Sequence, residues 1–515
     1  MLALAVLAIV PACSGEDDEP VVPQASDPNV AVPDPEGTVT VNITNNGRDG
    51  EVALPDLGVY IYIDEGNNFR LYSSGYSTSI VSLGAMKGLG NVVSVPTEGW
   101  SSSVAVMPGN GYAVRSSYNY GNIRTNNYAR LYVDSYMTNT SGGIMGATVK
   151  YQSPFVLPIV LSESEVEFEA SGGSREIAYT GSTCSVKSAP EWCSVRFYSG
   201  GGLTVSVTEN FSASEYTGDI VLSNQSGEAT LKVTQAASPS PLFADGRGTV
   251  DDPFSITAPE HLDSVRVVAD GGYVFSLDND IDLSDYLSPQ GNGWMPIGSS
   301  SEPFDGTFLG NMHTISGLWI YRLSTGYLGL FACSDSNSSI DGIRLVLDDK
   351  GIVGTGNYVG GICGLSYGNI TRCSVQGAVA GGDYVGGIAG YDGSISQCYT
   401  EGEITGDNYV GGVGSYNSTV DNCYSTATVQ ATGGHAFTIG YYDNVYYSYF
   451  AGKAEGGAYY HTDNYCYYDA ETTGDEGGLP TSEMFRQATY VNWDFINVWQ
   501  IDEGRSYPTL RCFDK

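Results

Sequence analysis

The chain is 515 residues long and carries 58 acidic against 22 basic side chains, a formal net charge of −36. Such a field repels phosphate backbones and excludes nucleic acid as a partner, while the length leaves room for several domains with cores of their own. Between positions 351 and 450 the only Lys or Arg is Arg372. Gly (67) and Tyr (38) are abundant among many Val, Ile and Thr, and long helical periods are almost absent. Composition and period predict an all-β chain: two β-sandwiches, then a right-handed parallel β-helix built of ~25-residue repeats.

Residues 1–12 read as the leader of an exported protein. An apolar run ends at Ala12-Cys13 and is followed by the acidic stretch Ser14-Gly15-Glu16-Asp17-Asp18-Glu19. The run is shorter than the about 20 apolar residues a spanning helix needs. No basic residue precedes Arg48, so the true start and its basic flank are expected upstream. Val10-Pro11-Ala12-Cys13 resembles a bacterial lipobox, and the acidic run resembles the export signal of surface lipoproteins of the Bacteroidetes. The resemblance implies lipidation at Cys13 and a chain held to the outer membrane by that anchor, exposed on the cell surface. The plainer alternative is an ordinary buried apolar segment with a chance Cys. Residues 13–36, acidic and Pro-rich, read as an extended tether.

Short alternating strands begin at Val39-Thr40-Val41-Asn42-Ile43 and continue through Val59-Tyr60-Ile61-Tyr62-Ile63, which predicts a β-sandwich over 37–156. This part resembles, weakly, the amino-terminal sandwich modules of surface lipoproteins. A second sandwich is predicted over 157–237, where Leu203-Thr204-Val205-Ser206-Val207 and Leu231-Lys232-Val233-Thr234-Gln235 alternate strictly. The order of these pieces, with Ala189-Pro190-Glu191-Trp192, resembles the BACON domain, an Ig-like sandwich often attached to glycan-handling proteins. Trp192 is a candidate sugar platform, against its ordinary role as core. Cys184 and Cys193 are close enough in sequence to pair. No C-x-x-C spacing occurs among the ten Cys, so the usual zinc and redox arrangements lack their ligands. Ser238-Pro239-Ser240-Pro241 marks a stiff linker at 238–242.

The region 243–515 carries the repeat. Tyr358-Val359-Gly360-Gly361-Ile362 recurs at Tyr384 and Tyr409, and Cys373, Cys398 and Cys423 recur at 25-residue steps. Weaker copies start at Tyr327 and near Ala436. A fixed period of this size predicts stacked coils. Equivalent residues then lie about 4.8 Å apart, and their parallel Cβ vectors hinder disulfides, so the Cys ladder is expected as buried thiols. The Tyr ladder is expected to serve packing. These repeats resemble the GLUG motif of bacterial adhesins and of the non-catalytic part of some secreted peptidases. The leading segment around Trp294-Met295-Pro296-Ile297-Gly298 and the closing one through Trp493-Asp494-Phe495 support it, and both are expected to cap the solenoid.

Catalytic patterns are thin. Gly364-Leu365-Ser366-Tyr367-Gly368 fits G-x-S-x-G, but the next repeats carry Asp392 and Asn417 where Ser366 stands. None of His261, His313, His435 and His461 forms H-E-x-x-H. Asp278-Asn279-Asp280-Ile281-Asp282 clusters carboxylates, yet Leu283 stands where a calcium loop wants Gly. No catalytic residue, metal or cofactor is expected. The reading is a non-catalytic adhesin that binds host or dietary glycan or glycoprotein. A glycan-cleaving β-helix enzyme and a passive spacer are the alternatives. Candidate contact aromatics are Tyr441, Tyr442, Tyr446, Tyr447, Tyr459 and Tyr460, with Trp192. Their ordinary reading is late-coil core and cap.

Overall fold

A computed structural model describes residues 30–514 apart from 121–122, 199–201, 288–290, 392, 417, 442–443 and 462. Cys13 and Tyr442 therefore lie outside the described residues. The chain is all-β and divides into two compact units. One takes the residues up to 168 with 172–208 and 217–234; the other takes 169–171, 209–216 and the chain from 235 onward.

The first unit holds two sandwiches. In the first, Val39–Thr44, Ile144–Gln152, Ile123–Thr138, Asn110–Tyr120 and Ser77–Ala85 pair in that order, opposite a sheet of Val52–Leu54, Val59–Ile63, Asn68–Tyr72 and Ser103–Ala105. Alternation does what period 2 requires: Val59, Ile61 and Ile63 are buried while Tyr60 faces out. Tyr112 is buried in this core, where its hydroxyl donates to Ala105 O (2.9 Å) and accepts from Met107 N (2.8 Å). Residues 30–36, the end of the segment read as a tether, lie against this sandwich. Asn91 Nδ2 donates to Val30 O (2.7 Å) and Lys150 pairs with Asp34 (2.8 Å).

The second sandwich sets Val160–Leu161, Gly173–Thr180, Gly202–Val207 and Cys193–Tyr198 against Glu165–Phe168, Gly227–Gln235, Tyr216–Asn224 and Ser185–Ser188. Its core is Val166, Ile177, Leu203, Val205, Ile220, Leu222, Leu231 and Val233. Cys184 and Cys193, close enough in sequence to pair, are not joined by a disulfide, and Cys184 is a free thiol. Cys184 leads into a strand of one sheet and Cys193 opens a strand of the other, which accounts for their separation.

In the second unit the 25-residue period becomes a parallel β-helix. One coil runs Val359–Gly360, Cys363–Ser366, Asn369–Thr371 and Ser374–Ala380, and each strand pairs in parallel with its counterpart in the next coil. Val359, Val385, Val410 and Ala436 stack in register, as do Ile340, Ile370, Ile395, Val420 and Val445. The Gly-Gly pairs are needed because backbone approaches backbone. A Cβ on Gly386 would collide with Ala389 O, and one on Gly411 with Gly414 O.

The cysteines fill the opposite corner. Cys373, Cys398 and Cys423 are fully buried free thiols, and desolvation holds the Cys373 and Cys398 thiols well above the usual range. Each follows a corner residue in the left-handed region: Arg372, Gln397 and Asn422, at φ 51–52°. There the ladder leaves an N–H to satisfy, and the next thiol accepts it. Cys373 N donates to Cys398 Sγ and Cys398 N to Cys423 Sγ, both at 3.3 Å. Cys423 N donates instead to Ser448 Oγ (3.0 Å), so a hydroxyl does the same work. Cys398→Ala therefore strands a buried N–H and is expected to cost about 1–3 kcal/mol in denaturant melts. Cys398→Ser is expected to cost less than Ala; the opposite ranking would refute the acceptor role.

The closing segment turns back along one flank. Tyr399, Tyr424 and Tyr449 stack at 4.8 and 5.0 Å with ring planes within 5°. Residues 484–513 cover that stack: Met484, Tyr490, Trp493, Trp499 and Leu510 are buried with Tyr424 and Tyr449. Phe513 meets Tyr399 edge-on at 4.8 Å, and Arg344 Nη2 donates to Phe513 O (2.8 Å).

Candidate functional site

A second column of tyrosines has no such cover among the described residues. Tyr327, Tyr358, Tyr384 and Tyr409 stand immediately before Leu328, Val359, Val385 and Val410, each with φ between 54° and 65°. A bulky residue in this region costs roughly 1–2 kcal/mol, so something must offset it at each coil. Part of the offset is stacking, with centroids 5.1, 5.2 and 5.2 Å apart and planes closing from 25° to 8° and 4°.

Tyr391, Tyr416 and Tyr441 form a second row edge-on to the first. Tyr391 lies 5.3 Å from Tyr358 at 90° and 5.4 Å from Tyr384 at 84°, and Tyr416 lies 5.0 Å from Tyr409 at 78°. Tyr441 closes the row 4.4 Å from Tyr416. Every ring of this double row is half-buried. The Tyr327 and Tyr384 hydroxyls lie near the surface, whereas those of Tyr424 and Tyr449 under the closing segment are deep. Partial desolvation and the neighbouring phenols raise the Tyr384 pKa, so at neutral pH it is a neutral donor and acceptor.

A polar ladder borders the later part of the column, because Asn357, Asp383 and Asn408 stand directly before Tyr358, Tyr384 and Tyr409. Asp383 N donates to Asn357 Oδ1 (3.1 Å), and Asn408 Nδ2 donates to Asp383 Oδ1 (2.8 Å). Amide and carboxylate groups thus repeat beside phenol edges, coil after coil. That surface can hydrogen-bond hydroxyls and pack apolar sugar or peptide faces, and it repeats along one axis.

The residues predicted as ligand contacts fall into different places. Tyr441 joins the double row. Tyr459 packs on Phe437 (6.0 Å) and His461 (5.1 Å), and Phe437 in turn meets Tyr441 (5.4 Å). Tyr446 is exposed, and Tyr447 stacks on Tyr465 at 5.3 Å. Tyr460, directly after the strand Ala458–Tyr459, stacks on buried Tyr468 (4.5 Å) and packs against the coil core. Trp192 belongs to the other unit, half-buried against the sandwich core beside Pro190 and Gly218. The rows built on Tyr358, Tyr384, Tyr409, Tyr391 and Tyr416 were legible as a repeat, but their shared surface was not.

Ser366 is fully buried within a strand, and its Oγ accepts from Ser334 Oγ (3.0 Å), a setting unlike a nucleophile elbow. The carboxylates of the Asp-rich turn splay to separate partners. Asp278 accepts from Ser276 Oγ (2.6 Å), Asp280 from Thr314 N (2.8 Å) and Asp282 from Ser284 N (2.9 Å). His313 Nδ1 lies 3.2 Å from Asp280, and His461 Nε2 lies 2.7 Å from Gly440 O in the core.

Fold and surface together define a class: a repeat-built β protein with sandwiches ahead of a parallel β-helix. Residues 40–157 match a family described as a domain of unknown function, DUF5036. Over 137 residues, 27% of this chain, it is 39% identical to a Gly-rich membrane protein of Evansella cellulosilytica. Over 137 residues, 26% of this chain, it is 34% identical to halomucin of Haloquadratum walsbyi. The matches span only 16% and 2% of those two curated relatives. No solved structure matches the chain.

Proposed function

We propose that the chain is a lipid-anchored, non-catalytic adhesin of the bacterial outer surface that binds glycan or glycoprotein. The carrying observation is the double tyrosine row, continuous over successive coils and bordered by amides and a carboxylate. The left-handed tyrosines support it, since backbone strain repeated at one corner points to a task beyond filling space. The names of the two relatives, a membrane protein and a halomucin, fit a surface location. The BACON-like order of the second sandwich and the GLUG-like repeats fit the same reading, as does the lipobox-like Cys13.

The test is retention of residues 14–515 on immobilised mucin and plant polysaccharide, with eluates assayed for freed sugar. The expected result is retention without sugar release. Tyr384→Phe with Tyr409→Phe keeps the stack and removes two hydroxyls, so retention is expected to fall about tenfold with melting unchanged, as lost hydrogen bonds of this kind do. Freed oligosaccharide would replace this reading with that of a glycan-cleaving enzyme. Absence of retention on every matrix would leave a spacer.

A further inference from the structure

On another flank of the coil unit, between the coils and the closing segment, runs an open groove of about 750 Å³. Its floor is one side of a parallel ladder, with Asp341, Thr371 and Ser396 in register on successive coils. Its rim is the left-handed corner, where Arg372 and Gln397 both line the groove. Its far wall is Arg511 of the closing segment.

The charge of this groove departs from that of the chain. In a protein of net charge −36, it collects Arg372, the lone cation between positions 351 and 450, and Arg511. Arg372 is held by Asp341, with Nε 2.8 Å from Oδ1 and Nη2 against Oδ2. Thr371 Oγ1 donates to the same carboxylate (2.5 Å), so Asp341 is occupied by two adjacent residues of the next coil. Arg511 makes no ion pair at contact distance among the described residues, and the nearest acidic influence on it is Asp494 of the same segment. Its Nε donates to Trp499 O (2.8 Å) and its Nη2 to Phe495 O (2.9 Å), which fixes the guanidinium while leaving its charge uncompensated by contact. Ser396 and Gln397 make no side-chain hydrogen bond among the described residues, so a hydroxyl and an amide stand ready beside the two cations.

We propose that this groove is a binding site for acidic saccharides, with Arg511 and Arg372 meeting a carboxylate or sulfate and Ser396 and Gln397 meeting sugar hydroxyls. Guanidinium suits planar oxyanions, and the ladder repeats at the coil step, which suits a linear chain of like units. The inference takes its ligand class from the glycan-binding reading but uses none of the tyrosine surface, so the two can fail separately.

The experiment is calorimetric titration of the full chain with polygalacturonate, its methyl ester and polyglutamate, at two salt concentrations. Polygalacturonate is expected to bind at least about tenfold more tightly than the ester, with the advantage shrinking as salt rises. Gln397→Glu places a carboxylate in the groove without removing a hydrogen bond and is expected to abolish that advantage with melting unchanged. Arg372→Gln is expected to abolish that advantage as well, with some loss of stability because Asp341 loses its cation. Equal binding of acid and ester overturns the proposal, as does an advantage that survives Gln397→Glu. Polyglutamate binding as tightly as polygalacturonate overturns the saccharide assignment. Binding of the ester alone would leave the tyrosine surface standing without this site.

Discussion

Trp499→Ala is expected to destabilise the coil unit by about 3–5 kcal/mol, the usual cost of emptying a large buried aromatic site. Trp499 is fully buried, 4.3 Å from Trp493, 6.1 Å from Tyr449 and 6.3 Å from Tyr424. Its Nε1 donates to Asn422 Oδ1 (2.9 Å), the side chain of a left-handed corner residue. One ring therefore holds the closing segment to both the tyrosine stack and the corner beside it. Its loss leaves a cavity, an unanswered carbonyl and a partly uncovered stack. Trp499→Phe keeps most of the area and loses the hydrogen bond, so about 1–2 kcal/mol is expected. Denaturant melts followed by circular dichroism, with dye binding to report the uncovered stack, check both. A loss below about 1 kcal/mol for the alanine variant would mean that the segment is held elsewhere.

Gly411→Ala is expected to be as damaging through the opposite cause. The added Cβ would overlap Gly414 O, a backbone atom that no rotamer can move aside, and Gly411 pairs with Gly386 on one side and Phe437 on the other. Shifting it displaces two neighbouring coils, at a cost of about 3 kcal/mol or more. Gly433→Ala is the control, because the nearest atom to its Cβ would be 3.5 Å away, and a change within about 0.5 kcal/mol is expected. Equal melting of the two variants would show that the Gly-Gly corner is replaceable.

The coil architecture was legible because its cause is local and repeated. A tyrosine, an apolar residue and two glycines at one spacing, with a cysteine at the same spacing, specify which atoms must stack. The sandwich strands were legible for a similar reason, since Val59, Ile61 and Ile63 alternate with tyrosines. The return of the closing segment was not, because Trp499 meets Asn422 across 77 positions and nothing near either residue announces the other. The surroundings of the candidate contacts were illegible for another reason. A cluster such as Tyr459 and Tyr460 looks uniform as letters, yet Tyr459 meets Phe437 and His461 while Tyr460 packs against the coil core and Tyr468. The left-handed setting of Tyr358, Tyr384 and Tyr409 ran against propensity, and the interleaving of two rows depends on how the coils register in space.

One consequence of the tyrosine column lies in its spacing. Parallel rings with centroids 5.2 Å apart reach van der Waals contact only when each slips past the next by about 3–4 Å. The column is therefore a staircase, and each ring leaves a sliver of its face as a tread on the same side as the last. Going up the treads is not equivalent to going down. A chain laid along it meets a surface with a sense of direction, so a polymer whose two ends differ would be held one way round.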